Sequence, residues 1–124
     1  ISDIMHTHDD IPVVKNNETI SQALLEVSRK GLGMTAVIDD QNTLVGIFTD
    51  GDLRRILDAR IDIHQTPISQ VMTQNCVTIN EHTLAAEALA VIEDKKISGL
   101  IVVNEQNNPV GAFNMHDLLR AGVL

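Results

Sequence analysis

Two short segments of the chain place an aspartate three residues after a side chain that can cap a helix. They are Thr49-Asp50-Gly51-Asp52 and Asn114-Met115-His116-Asp117, and each follows an apolar run. This pattern is typical of a strand that turns into a helix, where unpaired backbone N–H groups bind anions. In the first segment, Thr49 is expected to cap the helix or to offer its hydroxyl to a phosphate. Gly51 would let a ligand approach the backbone closely.

Two roles are open to Asp52. It can close a capping box with Thr49, which is the ordinary structural interpretation of Thr-x-x-Asp. It can also accept hydrogen bonds from both hydroxyls of a ribose, since each oxygen of a carboxylate is an acceptor. The motif alone favours capping, and its recurrence in the same context shifts the interpretation toward ligand binding.

The surroundings of the motif are repeated within the chain. The segment 46–53 recurs as 111–118, 65 residues later, with its glycine, phenylalanine and final aspartate at matching positions. Such a repeat predicts two copies of one small unit. We assign residues 1–62 and 63–124 to the copies and expect a pseudo-twofold axis, sheets packed on each other and a cleft that binds a ligand.

Each copy predicts the same order of elements, β-α-β-β-α, and therefore an α+β fold. Short apolar runs joined by turn residues indicate hairpins at 34–48 and 99–113, and apolar residues at helical spacing indicate helices before them. Thr19 and Gln22 form a predicted capping box for the first of these helices, and its counterpart is expected to begin at Thr83. The closing helices are expected to begin at Thr49 and Asn114.

The composition excludes several classes of function. The formal net charge of −8 repels polyanions, and with 2% aromatic residues there is no platform on which bases would stack. No stretch approaches the roughly 18 apolar residues of a membrane span. We therefore predict that the chain binds neither nucleic acid nor membrane. A small phosphate ligand can still bind, because backbone N–H groups close to it can outweigh a distant net charge.

Cys76 is the only cysteine, so an intrachain disulfide is impossible and a cytoplasmic location is favoured. We interpret it as a buried bystander. The chain lacks an initiator methionine. Its first five residues match residues 68–72, but they lack the Thr66-Pro67 pair, which is predicted to cap and begin a helix. The chain is therefore expected to be part of a longer protein.

Other polar clusters have competing interpretations. The segment 6–10, with two histidines and two aspartates, has the ligand types of a zinc or nickel site, but a solvated loop is favoured. His116 is a candidate donor to a phosphate or carboxylate, against a structural or solvent-facing role. Arginines 54, 55 and 120 either contact an anion or form solvated ion pairs. No catalytic arrangement of side chains is evident, so this part of the chain is predicted to be non-catalytic.

The whole chain resembles a tandem pair of CBS domains, a Bateman module. The resemblance rests on the β-α-β-β-α order and on the repeated signature of glycine, two apolar residues, Ser or Thr, two further residues and Asp. It implies two nucleotide-type sites, with the base and ribose bound beside strand ends. The residues that the resemblance implies for the first site are Val14, Thr35, Ala36, Thr49 and Asp52, and the motif itself adds Asp50 and Gly51. Those it implies for the second are Val77, Gly99, Leu100, Asn114 and Asp117, to which His116 is added as a candidate donor.

The segments 32–35, 46–55 and 115–123 are similar, more closely, to the C-terminal half of bacterial arabinose-5-phosphate isomerases. This resemblance implies an N-terminal sugar-isomerase (SIS) domain in the same chain. It also implies a role in Kdo, lipopolysaccharide or capsule synthesis. The four short apolar helices leave more apolar surface than 124 residues easily bury, and the resemblance to CBS pairs points the same way, so we expect a homodimer of these residues within a larger homo-oligomer. No residue of the catalytic domain is present.

The resemblance implies no cofactor but a regulatory nucleotide or nucleotide-sugar, either CMP-Kdo or an adenylate (AMP, ADP or ATP). Asn114 departs from the usual Ser or Thr, which favours a ligand other than an adenylate at the second site. The alternative is a structural oligomerisation module with vestigial pockets.

Overall fold

The computed structural model describes residues 1–123. Within them the order β-α-β-β-α occurs twice, so the predicted α+β fold is confirmed. The first set is β1 (Val13–Lys15), α1 (Ile20–Lys30), β2 (Met34–Ile38), β3 (Leu44–Thr49) and α2 (Asp50–Ala59). The second is β4 (Thr78–Asn80), α3 (Ala85–Lys95), β5 (Gly99–Val103), β6 (Pro109–Asn114) and α4 (Met115–Arg120). Short 3-10 helices cover His8–Asp10 and Ile68–Gln70.

The chain forms two compact units. The central unit comprises Pro12–Cys76, and the terminal unit comprises Ile1–Ile11 together with the chain from Val77 onward. These units differ from the sequence repeats 1–62 and 63–124 in residues 1–11 and 63–76. Within these ranges, residues 1–6 and 68–73 are the opening segments of the two repeats. Each opening segment belongs to the unit built by the other repeat, because its backbone pairs with that repeat's last strand.

Each unit contains a three-stranded sheet of the same topology. β1 is parallel to β2, and β2 is antiparallel to β3; β4, β5 and β6 repeat this arrangement. The opening segments add one further bridge to each sheet. Thr73 exchanges backbone hydrogen bonds with Ile47 (2.9 and 2.8 Å), and His6 exchanges them with Ala112 (2.7 and 3.0 Å). This pairing brings Thr73 and His6 beside the last strand of each sheet.

A glycine permits the close approach of each opening segment. A Cβ atom at Gly46 would lie 2.5 Å from Met72 Sδ and 2.9 Å from the carbonyl oxygen of Thr73. A Cβ atom at Gly111 would collide with Met5 in the same way. The repeated glycines of the motif are therefore required by packing of the opening segments.

Each unit has its own apolar core between its sheet and its helices. Phe48 and Phe113 lie at equivalent positions of the two cores, and both are fully buried. The remaining buried members of the central core are Val14, Ile20, Ala23, Val37, Ile56 and Ile68. Those of the terminal core are Ile79, Ala88, Ile92, Leu100, Val102 and Leu118. With few aromatic residues, both cores consist largely of aliphatic side chains.

The predicted helix starts hold with two exceptions. Thr19 caps α1 and forms the expected capping box with Gln22. The helix α3 begins later than predicted, because Leu84 is the N-cap residue and its N–H donates to Glu87, while the Thr83 hydroxyl lies 3.4 Å from Asn80 Oδ1. Pro67 precedes its short 3-10 helix as the N-cap residue, one position earlier than the first helical position predicted for it.

Candidate functional site

The motif of the central unit forms a capping box at the start of α2. The Thr49 hydroxyl oxygen accepts the N–H of Asp52 at 3.4 Å, and Asp52 Oδ2 accepts the N–H of Thr49 at 2.9 Å. The side chain of Asp52 is only 3% exposed. The structural role that the sequence left open for Asp52 is therefore present, and it occupies one oxygen of the carboxylate.

The other oxygen of Asp52 has two further donors. The Thr73 hydroxyl donates to Asp52 Oδ1 at 3.0 Å, and the guanidinium of Arg55 donates to the same atom. Thr73 reaches this oxygen because its backbone pairs with Ile47 beside β3. Arg55 reaches it because residues three apart on a helix are neighbours on its surface.

The terminal unit repeats this arrangement with different side chains. Asn114 Oδ1 accepts the N–H of Asp117 at 3.1 Å, and Asp117 Oδ2 accepts the N–H of Asn114 at 2.9 Å. Asp117 Oδ1 lies 3.0 Å from His6 Nε2 and accepts from Arg120 Nη2 at 2.6 Å. Asn114 therefore replaces the hydroxyl as a cap without changing the geometry, and His6 takes the place of Thr73.

Hydrogen bonds determine the ionisation of Asp117. Its burial alone would raise the pKa, but the Asn114 N–H, His6 and Arg120 outweigh this, so the pKa of Asp117 lies below the usual aspartate value. In α1, burial likewise opposes the Val13 N–H, Lys30 and Arg29 around Glu26, and the net effect again lowers the pKa of Glu26. Both carboxylates are therefore ionised at neutral pH.

The lowered pKa of Asp117 predicts a contribution to stability that depends on pH. A depressed folded-state pKa stabilises the fold above the unfolded value of about 4, and this stabilisation disappears as the pH falls through the folded-state value. We expect Asp117→Asn to be less stable than the wild type at about pH 7, with the difference shrinking below about pH 4. Urea denaturation at both pH values measures this. The same difference at both would contradict the prediction, and the exposed Asp3→Asn serves as the control.

The other predicted residues of the central unit lie along the same strands. Thr35 on β2 is fully buried, pairs with Phe48, and donates its hydroxyl to the carbonyl oxygen of Ala36 at 3.1 Å. Ala36 is also buried, and Val14 on β1 is 4% exposed. These three residues are therefore buried parts of the sheet itself, and the Thr35 hydroxyl is already paired with a backbone carbonyl of the protein.

The first turn of each closing helix is the more accessible part of the motif. Asp50 and Gly51 at the start of α2 are exposed, and so is His116 at the start of α4. In the terminal unit, Gly99 pairs directly with Asn114, whereas Leu100 beside it is fully buried. Val77 lies half-buried just before β4. The structure thus brings Gly99, Asn114 and Asp117 together at one end of the sheet.

Sequence reasoning missed two residues that contact the motif carboxylates. The sequence does not single out Thr73, and it places His6 in the segment 6–10 with His8, Asp9 and Asp10. A signal existed in the sequence, because each follows the matching methionine of its repeat, Met72 or Met5. The sequence leaves Arg55 and Arg120 either an anion contact or an ion pair. In the structure each forms an ion pair with the motif aspartate three residues before it.

The remaining candidates form no site in the described residues. His8, Asp9 and Asp10 form a short 3-10 helix, and no group of three or more His, Cys, Asp or Glu residues among positions 1–123 is placed to bind a metal ion. Cys76 is half-buried, and its burial raises the pKa of the thiol. None of the helices described for residues 1–123 has the length and apolarity needed to span a membrane.

Comparison with known proteins identifies the class. The sequence model of the CBS domain matches residues 1–59 and again residues 68–124, so the chain belongs to the CBS domain family as a tandem pair. Among curated proteins, arabinose 5-phosphate isomerase KdsD of Pseudomonas aeruginosa is 53% identical over 124 residues, and KdsD of Escherichia coli is 46% identical. Both matches cover 100% of this chain but 38% of the relative's length.

Solved structures show the same fold. The CBS domain pair of protein MJ0100, in complex with 5'-methylthioadenosine and S-adenosyl-L-methionine, superposes with a TM-score of 0.86 at 23% identity, covering 98% of each chain. CBSX2 in complex with AMP gives a TM-score of 0.82 at 24% identity, covering 98% of this chain and 94% of that chain. At this identity the likeness concerns the fold alone.

Proposed function

We propose that this chain is the regulatory, ligand-binding CBS pair of an arabinose 5-phosphate isomerase that acts in Kdo, lipopolysaccharide or capsule biosynthesis. The observation that carries the proposal is 53% identity to a KdsD isomerase along the entire chain. Because the chain spans 38% of that relative, catalysis would belong to an N-terminal SIS isomerase domain of the same protein. We place the whole protein in the cytoplasm.

The proposed ligand is a nucleotide or a nucleotide-sugar. Two structural neighbours with the same fold are complexes with AMP or with adenosine derivatives, which supports this class of ligand. In each unit of this chain a buried carboxylate lies at the end of the sheet, where a ribose diol can hydrogen-bond to Oδ1 of Asp52 or Asp117. This contact is indifferent to the base, so CMP-Kdo and an adenylate are both candidates.

CMP-Kdo is the ligand we favour for the terminal unit. Asn114 replaces the hydroxyl of the usual motif, and His6 and Arg120 meet at Asp117. These two donors suit a ligand that carries a carboxylate in addition to its phosphate, since charge-assisted hydrogen bonds to anions are the strong ones. Exposed His116 is a further candidate donor.

Thermal denaturation with ligand tests the proposal. A ligand that binds only the folded chain stabilises it by about 2.7 kcal/mol at a concentration of 100 times its Kd. We expect CMP-Kdo to raise the melting temperature more than AMP does at equal concentration. If AMP or ATP stabilises the chain and CMP-Kdo does not, the site senses adenylates and the end-product hypothesis is wrong.

The variant Asp52→Asn tests the role of the carboxylate in the central unit. Asparagine retains an acceptor for the Thr49 N–H but loses the charge, so we expect ligand affinity at this unit to fall about tenfold or more. Calorimetric titration measures the change. Asp58→Asn, an exposed acid on the same helix, is the matched control. Equal affinity in Asp52→Asn and the wild type would reduce Asp52 to a helix cap.

A structural oligomerisation module is the alternative function. It is favoured by the complete internal pairing of both motif carboxylates and by exposed leucines at positions 25, 57, 84 and 119. We propose that the 124-residue chain forms a homodimer whether it is a ligand-binding or a purely structural module. Light scattering is expected to show a dimer at micromolar concentration. A dimer that no nucleotide stabilises against heat would favour the alternative.

A further inference from the structure

Arginine occupies the same position in the two units. Arg55 and Arg120 each follow the motif aspartate by three residues, and each donates to Oδ1 of that aspartate. Their side chains are nevertheless 71% and 72% exposed, whereas the carboxylates they contact are almost fully buried. The cation of each pair therefore lies at the surface and can leave the pair without being buried elsewhere.

Only one oxygen of each carboxylate is open to exchange. Oδ2 of Asp52 accepts the backbone N–H of Thr49, and losing this bond would disrupt the start of α2. Oδ1 accepts side-chain donors alone, from Thr73 and Arg55. A ribose diol that bonds to Asp52 must therefore compete at Oδ1. Arg55 is the easier partner to displace, because its long side chain is exposed and free to reorient, whereas Thr73 is held beside Asp52 by its backbone hydrogen bonds to Ile47.

The displaced guanidinium has a use in the complex. A phosphate brings negative charge to a chain whose formal net charge is already −8, so its binding requires local cations. Guanidinium groups form bidentate hydrogen bonds with phosphate, and the long arginine side chain can reorient while its Cα remains in place. The other ion-paired cations in the described central unit contact different acids, Asp40 or Glu26.

We propose that Arg55 exchanges partners on ligand binding and thereby selects nucleotides over nucleosides. The ribose displaces it from Asp52 Oδ1, and the released guanidinium binds the phosphate of the same ligand. Arg55 thus competes with the ribose for Asp52 and then binds the phosphate. A ligand that has the diol but no phosphate must still displace Arg55 and gains no contact from it, so it binds more weakly. This inference rests on the proposed nucleotide binding, and Arg120 has the equivalent geometry in the terminal unit.

The test compares nucleotide and nucleoside affinities of the 124-residue chain. Amide NMR signals of Thr49 and Asp52 report on the central unit during titration with AMP, adenosine, CMP and cytidine. In the wild type we expect the nucleotide to bind about tenfold or more tightly than its nucleoside. In Arg55→Met this ratio should fall close to one, with nucleoside affinity unchanged or raised. Arg54→Met, the exposed neighbour on α2, should retain the wild-type ratio.

Two outcomes would overturn the proposal, and they are distinguishable. If the wild type binds AMP or CMP and Arg55→Met shows the same nucleotide-to-nucleoside ratio, the Arg55–Asp52 pair is structural, although nucleotide binding stands. If none of the four ligands shifts the signals of the wild type, the proposed nucleotide function of this unit fails together with the role of Arg55. A purely structural ion pair would change stability but not the ratio.

Discussion

Replacing Gly46 with alanine is expected to destabilise the chain by about 2–3 kcal/mol, in the range found for overpacked interiors. The added Cβ would lie 2.5 Å from Met72 Sδ and 2.9 Å from the carbonyl oxygen of Thr73. The methionine side chain can move, but the carbonyl belongs to the backbone bridge between Thr73 and Ile47 and cannot move without weakening it. Urea denaturation of the wild type and Gly46→Ala measures the difference.

Gly51→Ala is the matched control for this prediction. Gly51 lies in the first turn of α2, and a Cβ there would meet only the Thr49 hydroxyl oxygen, at 3.7 Å. Alanine is also the better helix former, so this variant should be as stable as the wild type or slightly more stable. If Gly46→Ala and Gly51→Ala prove equally stable, close packing of the opening segment is not what the motif glycine provides.

Gly46→Ala is also expected to affect the candidate site, because it would displace Thr73. When the opening segment shifts, the Thr73 hydroxyl moves away from Asp52 Oδ1, and this oxygen loses one of its two side-chain donors. The glycine at position 46 therefore acts on the candidate site from a distance, through the backbone. In the terminal unit a Cβ atom at Gly111 would collide with the side chain of Met5, and Met5 precedes His6, which contacts Asp117.

Local signals in the sequence predicted most of the fold. Hydrophobic periodicity, turn residues and capping boxes are properties of neighbouring residues, so the order of elements and the starts of α1, α2 and α4 follow from them. The start of α3 was misplaced because Thr83 resembles a cap residue, yet its hydroxyl contacts Asn80 in the preceding turn. Such a contact depends on the path of the loop, and spacing alone does not reveal it.

Exchange of the opening segments was beyond the reach of the sequence. A repeat shows which segments are equivalent, but it does not say whether segment 1–6 pairs with β3 or with the equivalent β6. The structure places His6 beside Ala112, which directs its ring to Asp117 and away from the histidine-rich segment in which it was first grouped. The motif aspartates were found from sequence, whereas the donors that meet their Oδ1 atoms depend on this long-range pairing.

Phe113→Ala is expected to have the largest effect on stability, about 3–5 kcal/mol, as for other fully buried phenylalanines. Phe113 is the only aromatic residue in the terminal core, and its neighbours are aliphatic side chains such as Leu100 and Leu118. Truncation would leave a cavity between β5, β6 and α4 that these residues fill only partly. Urea denaturation gives the loss in unfolding free energy, and Phe113→Leu, which retains most of the volume, should cost only about 1–2 kcal/mol.

The same substitution tests whether the terminal site depends on its core. Phe113 precedes Asn114, the cap residue that bonds to Asp117, and follows Ala112, which pairs with His6. Loosening β6 should therefore disturb both sides of the Asp117 cluster, and amide hydrogen exchange should accelerate at Ala112 and Asp117 more than at Ile47 and Asp52 in the central unit. Equal acceleration in both units would mean that the two cores unfold as one. If Phe113→Ala lowers the unfolding free energy by less than about 1 kcal/mol, the close packing around Phe113 is contradicted. So small an effect would require the neighbouring side chains to fill the space that the ring leaves.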